Sequence, residues 1–263
     1  MRTAVVTVAS AARRAHLERQ RRVLAEVADD IVRLEAWLDA DAPGDGVHVP
    51  PGPHGLRVGE GRNRLADAAI AAGAELIVFL DVDCLPGPAS IARYRTAARS
   101  YPGALLAGPV TYLASVQQPE TAADLPALTR PHRARPAPAD GETHAASPEQ
   151  YDLFWSLSFA VTPETWHRLG GFHPGYEGYG AEDTDLAWTA RAAGVELRWV
   201  GGADAYHQWH PVSSPPWRHL DDILRNGAEF HRRWGVWPMG GWLDAFAAAG
   251  AIERRGDTWA RVS

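Results

Sequence analysis

Five consecutive apolar residues, Leu76-Ile-Val-Phe-Leu80, run directly into Asp81-Val82-Asp83. A run with no polar alternation cannot lie on a sheet that has one wet face, so it predicts a strand over 75–81 buried on both sides, as in parallel sheets covered by helices. Side chains alternate along an extended segment, so Asp81 and Asp83 project the same way at the carboxyl end of that strand. Ligands of α/β sheets gather at such ends. Two carboxylates in that position can hold a divalent cation.

The rest of the chain supplies the partners such a strand needs. Residues 3–9 form a β-branched run, followed by Ser10 and an Arg-rich helical stretch over 12–28. A strand follows at 30–38, then a loop through Pro43, Pro50, Pro51 and Pro53, then a helix over 61–72 ended by Gly73. After the apolar strand come a helix at 87–99 and a strand at 104–110. This alternation predicts an α/β fold with a mostly parallel central sheet flanked by helices. Residues 114–150 are rich in Pro, Ala and polar groups with little periodicity, which predicts a mobile loop or lid. Order returns at Tyr151, with a short helix from Pro163 and a glycine-rich turn over 170–180. The helix over 182–193 carries Leu186, Ala190 and Ala193 on one face and stops at Gly194. A strand at 195–200, a helix at 218–234 and a Trp-rich helical tail complete the chain.

At 263 residues and 46% hydrophobic the chain builds one sizeable core, so a single domain is expected. Its net charge of −6 argues against nucleic acid as a partner. The lone cysteine, Cys84, excludes an intrachain disulfide framework and a multi-cysteine zinc site, and leaves the cytoplasm, or the inner face of a membrane, as the expected compartment. All 26 cationic side chains are arginine. Without lysine there can be no Schiff base, no pyridoxal phosphate enzyme and no lysine-dependent phosphate loop. No stretch reaches the roughly 18 apolar residues of a membrane span. Heavy use of Ala, Arg, Gly and Pro points to a GC-rich, bacterial genome.

A second acidic cluster, Gly180-Ala-Glu182-Asp183-Thr-Asp185-Leu186, puts three carboxylates on the first turn of a helix. The positive end of the helix dipole favours their ionised form, which suits a general base. Close backbone approach to a ligand is one reason for the glycines before it. The aromatic residues Trp155, Tyr176 and Tyr179 offer faces on which a ligand can stack.

Asp-Val-Asp after a buried strand, Gly170-Gly-Phe-(x)7-Gly180-Ala-Glu182-Asp183-Thr-Asp185 and a histidine after the next strand form an ordered set. In this order they resemble the metal-dependent inverting glycosyltransferases of the GT-A fold, in family 2 and its β-1,4-galactosyltransferase-like relatives. The likeness covers most of residues 3–211 and is closest over 75–85 and 168–210. It implies a nucleotide-sugar-binding half (1–113), a flexible loop (114–150), an acceptor and catalytic half (151–211) and a helical tail (212–263). It implies transfer of a sugar from a nucleotide diphosphate, a UDP-sugar, to a hydroxyl of a saccharide, lipid-linked or small-molecule acceptor. Asp183 corresponds to the base and Glu182 to the residue that orients the acceptor. Asp83 corresponds to a ligand of Mn²⁺ or Mg²⁺, with Asp81 on the ribose or the metal's water shell. His207 takes the place of the metal-binding histidine, with His210 as competitor. Ala9, Ser10, Arg62 and Asn63 correspond to nucleotide contacts, and Asp39 or Glu35 to the reader of uracil. The tail segment Phe230-His-Arg-Arg-Trp234-Gly-Val-Trp237-Pro has no counterpart in the vertebrate galactosyltransferase pattern.

Two other functions fit parts of the pattern. A nucleotidyltransferase also sets acidic metal ligands beside an α/β sheet, but Ala9-Ser-Ala-Ala-Arg13-Arg14 is a poor triphosphate loop. A noncatalytic nucleotide-sugar or carbohydrate-binding module would not need Asp83, Asp183 and His207 together.

Overall fold

The computed structural model describes residues 1–41 and 46–262, so Pro43 of the expected loop lies outside it. The chain begins with β1 (Thr3–Ala9), α1 (Arg14–Val27), β2 (Ile31–Trp37), β3 (Val47–His48), α2 (Val58–Ala71) and β4 (Leu76–Leu80). It continues with β5 (Cys84–Pro86), α3 (Ser90–Ser100), β6 (Leu105–Ala107), β7 (Val110–Tyr112), β8 (Thr143–Ala145), β9 (Ser158–Val161) and α4 (Pro163–Leu169). The last third holds α5 (Glu182–Ala192), β10 (Leu197–Val200), β11 (Ala205–His207), α6 (Leu220–Trp234), α7 (Gly240–Ala248) and the hairpin β12 (Ile252–Arg255) and β13 (Thr258–Arg261).

Among the described residues the central sheet has eight strands in the order β3-β2-β1-β4-β9-β6-β10-β8. Strands β1 to β4 are parallel, as are β6 and β10, while β9 enters antiparallel between β4 and β6. The apolar run behaves as its composition requires. Ile77 and Phe79 pack on one face with α2 and α5, and Leu76, Val78 and Leu80 on the other with α3, all of them at most 3% exposed. Burying each such side chain stabilises the fold by roughly 1.5–3 kcal/mol. Phe79 stacks on Phe159 of β9 at 4.3 Å, which locks the antiparallel strand beside β4.

Three expectations are refined. The strand expected at 104–110 breaks at Gly108-Pro109 into β6 and β7, which belong to different sheets. Proline has no N–H for a ladder, and a Cβ on Gly108 would lie 1.8 Å from the Ala203 carbonyl oxygen. Segment 114–150 carries 3₁₀ turns at Ala122–Asp124 and Pro126–Leu128 and contributes β8 to the sheet edge against β10. Leu125 anchors it among Leu85 and Tyr206. The tail is helical only as far as Ala248; β12 and β13 then pair around Gly256. No helix among the described residues is long and apolar enough to cross a membrane.

Candidate active site

A cavity of about 900 Å³ lies at the carboxyl ends of β1 and β4 and reaches to the start of α5. Ala9, Ser10, Arg62, Asp81, Asp83, Trp155, Tyr179, Glu182 and Asp183, all singled out in the sequence, line it.

The loop after β4 is held rigidly. Gln20 of α1, 2% exposed, donates to the carbonyls of Asp81 (2.6 Å) and Cys84 (2.8 Å) and accepts from Thr7 (3.0 Å). Its position between Leu17 and Leu24 on the buried face of an otherwise charged helix is the sequence signal that could have found it. Strand β5 then pairs antiparallel with β11, with Cys84 opposite His207. The Gln208 N–H donates to the Asp83 carbonyl at 2.6 Å. These contacts bring both candidate histidines to one carboxylate: His207 Nε2 lies 3.6 Å and His210 Nε2 3.4 Å from Asp83. One ligand atom from each of the three can be chosen so that all lie within 4.8 Å of one another. Burial works to raise the Asp83 pKa, but the His210 hydrogen bond and the charges of His207, His210 and Arg13 outweigh it and hold the carboxyl low. Burial lowers the pKa of His207, favouring the neutral imidazole that ligates metals. Cys84 is fully buried and its thiol is pushed well above the ordinary range, which suits a core role.

A divalent cation fits this group on two counts. One carboxylate with two imidazoles suits a first-row ion such as Mn²⁺ better than Mg²⁺, which prefers oxygen shells. The cavity is also lined by the carboxylates of Asp81, Asp83, Asp152, Glu182 and Asp183 against the guanidiniums of Arg13 and Arg62. An anionic ligand would be repelled from such a lining without added positive charge.

Asp81 has a different partner. Arg62, 4% exposed on α2, donates to Asp81 Oδ1 at 2.6 Å, and its Nη1 lies 3.6 Å from Glu182. Burial would lower the Arg62 pKa, yet Asp81, Glu182 and Asp183 hold it above the ordinary value. Nη1 makes no hydrogen bond among the described residues. The same arginine therefore joins the two acidic clusters. Burial, reinforced by Asp183, pushes Glu182 up to about 7, and burial also raises Asp183. Asp183 Oδ1 accepts the Thr184 N–H at 2.7 Å.

Several nucleotide-contact candidates are engaged elsewhere. Asn63 does not line the cavity: its amide donates to the Phe172 carbonyl (2.9 Å) and accepts the Phe172 N–H (2.8 Å), pinning the turn after α4. Asp39 caps the turn after β1 by accepting the Ala11 N–H at 2.7 Å. Glu35 pairs with Arg21, and Tyr176 is buried with its hydroxyl on Asp185. Trp155 is backed by Arg135, 6% exposed, whose guanidinium lies between the rings of Trp155 (5.2 Å) and Trp199 (5.1 Å). Burial pulls the Arg135 pKa down to about 10; no periodic pattern in segment 114–150 marked this residue.

Helix α6 braces the turn that opens α5. Asn226 Nδ2 lies 3.0, 3.1 and 3.0 Å from the carbonyls of Glu177, Tyr179 and Gly180. Asp185, 1% exposed, accepts from Arg233 (2.7 Å), Trp234 Nε1 (2.6 Å) and Tyr176 (3.1 Å). Gly180 and Ala181 both take left-handed conformations, φ +94° and +76°, to turn the chain into α5.

No curated protein sequence matches the chain. The family described as "N-terminal domain of galactosyltransferase" matches residues 141–211, which include Glu182, Asp183, His207 and His210 but not Asp83. Among solved structures, S. aureus TarS 1–349 in complex with UDP-GlcNAc superposes with a TM-score of 0.57 at 12% identity, over 88% of this chain and 67% of that one. GalNAc-T7, solved with UDP, GalNAc and Mn²⁺, gives 0.55 at 13% identity; the present chain is covered to 80% but spans only 44% of that protein. The Drosophila β1,4-galactosyltransferase 7 catalytic domain with xylobiose gives 0.50 at 14%, over 80% and 72%. The architecture is the GT-A fold of glycosyltransferases.

Proposed function

We propose that the protein is a metal-dependent, inverting glycosyltransferase that moves a sugar from a UDP-sugar to an acceptor hydroxyl. One observation carries the proposal: Asp83, which bears both histidines, lines the same cavity as Glu182 and Asp183. The UDP and UDP-GlcNAc held by GalNAc-T7 and TarS support the donor class. On this reading residues 1–113 bind the donor and 151–211 hold the acceptor and catalytic groups.

Asp83, His207 and His210 would hold Mn²⁺, which when bound supplies positive charge to the diphosphate leaving group. The acceptor oxygen attacks the anomeric carbon from the face opposite the diphosphate, and its proton passes to the Asp183 carboxylate. The bond to the diphosphate oxygen breaks with its electron pair on the nucleotide. Glu182 orients the acceptor, and Arg62 holds Asp81 and Glu182 in register. A nucleotidyltransferase is disfavoured because the Asp39 carboxylate already occupies the Ala11 N–H in the turn after β1.

The test combines a panel of UDP-sugars with Mn²⁺ and the Asp183→Asn variant. Asp183→Asn is expected to keep UDP affinity and to lose transfer by about 10²–10⁴-fold, the range for a general base. Loss of UDP affinity in that variant would move Asp183 to the nucleotide site, and failure of every donor with every divalent metal would sink the enzyme assignment.

A further inference from the structure

Beyond Asp183, the cavity is walled largely by the C-terminal segment. Trp188 of α5 and Phe230 of α6 line it together with Val236, Trp237, Met239 and Trp242. All but Trp188 lie past the residues that match the galactosyltransferase family.

This wall is fixed in place by specific contacts. Met239 holds φ +57°, and among the described residues Ala181 is the other non-glycine with positive φ. Both belong to one cluster with Tyr176 and Phe230, and a Cβ on Gly180 would meet Met239 Sδ at 2.9 Å. A strained backbone persists only where its surroundings over-determine it, here where the tail meets the turn before α5. The Trp237 ring lies over Gly227, where a Cβ would come within 2.8 Å of it, and its Nε1–H donates to the Asp257 carbonyl at 2.7 Å. Trp188 Nε1–H is likewise spent on Asp152 at 2.6 Å. Trp242 stands tilted against Tyr179, ring centroids 5.9 Å apart.

With those two indole donors satisfied inside the protein, the wall presents mainly aromatic faces and methyl groups, and the Trp242 indole N–H is the one side-chain donor left among its tryptophans in the described residues. A sugar stacked there would leave hydroxyls unmatched, whereas a planar apolar group would not. We infer that this C-terminal wall is an acceptor subsite for a planar apolar substituent carried next to the reacting hydroxyl. The proposal rests on the transferase reading, because Asp183 defines where that hydroxyl sits.

Calorimetric titration of the full chain, with and without UDP and Mn²⁺, compares 4-nitrophenyl and methyl β-glycosides of the same sugars, with matched disaccharides as a third arm. At least one 4-nitrophenyl glycoside is expected to bind about tenfold tighter than its methyl partner, the scale of a well-packed aromatic contact. Trp242→Ala should erase that preference and Trp242→Phe should keep it. Val236→Asp, at a position 45% exposed and so tolerant of charge, should weaken it without relying on a core substitution. Equal affinity within every pair, no glycoside binding, or a preference that survives both Trp242→Ala and Val236→Asp overturns the subsite. A disaccharide bound as tightly as the aryl glycoside assigns the wall to a sugar face and overturns it too. Failure to bind UDP counts against the transferase reading alone, since the comparison without nucleotide still decides the subsite.

Discussion

Replacing Asn226 tests whether α6 holds the turn before α5. Its side chain is 1% exposed, and its amide nitrogen lies within 3.1 Å of three carbonyl oxygens, those of Glu177, Tyr179 and Gly180. Two N–H groups serve three acceptors, so Asn226→Ala removes two hydrogen bonds' worth of donation; the Glu177 carbonyl keeps the Arg225 guanidinium at 2.7 Å, while those of Tyr179 and Gly180 lose this donor. A net contribution of about 1 kcal/mol per bond, plus part of the 1–3 kcal/mol cost of an orphaned acceptor, gives a loss of about 3 kcal/mol. At about 2–4 °C per kcal/mol for a chain near this size, the melting temperature should fall by roughly 6–12 °C. Asn226→Asp keeps the shape but turns a carboxylate oxygen toward the carbonyls, so it should be worse than Ala. Urea unfolding measures the loss, and hydrogen exchange at residues 178–185 should rise more than exchange in β4. Glu182 and Asp183 lie two and three residues after Gly180, so transfer should fall further than UDP affinity. If Asn226→Ala costs less than about 0.5 kcal/mol, the range of an ordinary surface change, or Asn226→Asp is as stable as the parent, the brace is wrong.

Three further outcomes follow from the site. His207→Ala and His210→Ala should each reduce the Mn²⁺-dependent rise in melting temperature, because a ligand bound only by the native state stabilises it; full rises in both would remove the cluster as a metal site. Burial and Asp183 raise Glu182 from 4.5 to about 7, so the native state holds the proton more tightly than the unfolded one, and stability should fall as pH rises through that window. The fall from this group is at most about 3 kcal/mol, and Glu182→Gln should flatten that part of the stability curve measured by urea unfolding at a series of pH values. Arg62→Met leaves Asp81 without its partner and should cost about 3–5 kcal/mol, as for other broken buried pairs; a near-neutral result by the same unfolding assay would show that Asp81 is protonated or rehydrated in the variant.

What could be read from the chain alone was what is local. The apolar run 76–80 declared a strand buried on both faces because its lack of alternation is itself the signal, and Asp81 and Asp83 followed from its end. Glu182 and Asp183 were visible because three carboxylates opening one helix after a glycine-rich turn are contiguous in sequence. The competition between His207 and His210 had no sequence solution: the Gln208 N–H bonds the Asp83 carbonyl, a contact across more than a hundred residues, and both imidazoles lie within 3.6 Å of that residue's carboxylate. The surroundings of Asn63 are hidden from the sequence for a related reason. A polar residue on the site-facing helix can reach a nucleotide or the neighbouring turn, and only the position of Phe172 decides which. The same holds for Asn226 and for the tail's aromatic wall. A residue whose work is to satisfy another segment's carbonyls has no pattern of its own, because an asparagine on any helix looks alike until those carbonyls have been placed. For the same reason the tail, which matches no motif, can brace the turn before α5 and line the cavity without leaving a trace in the sequence.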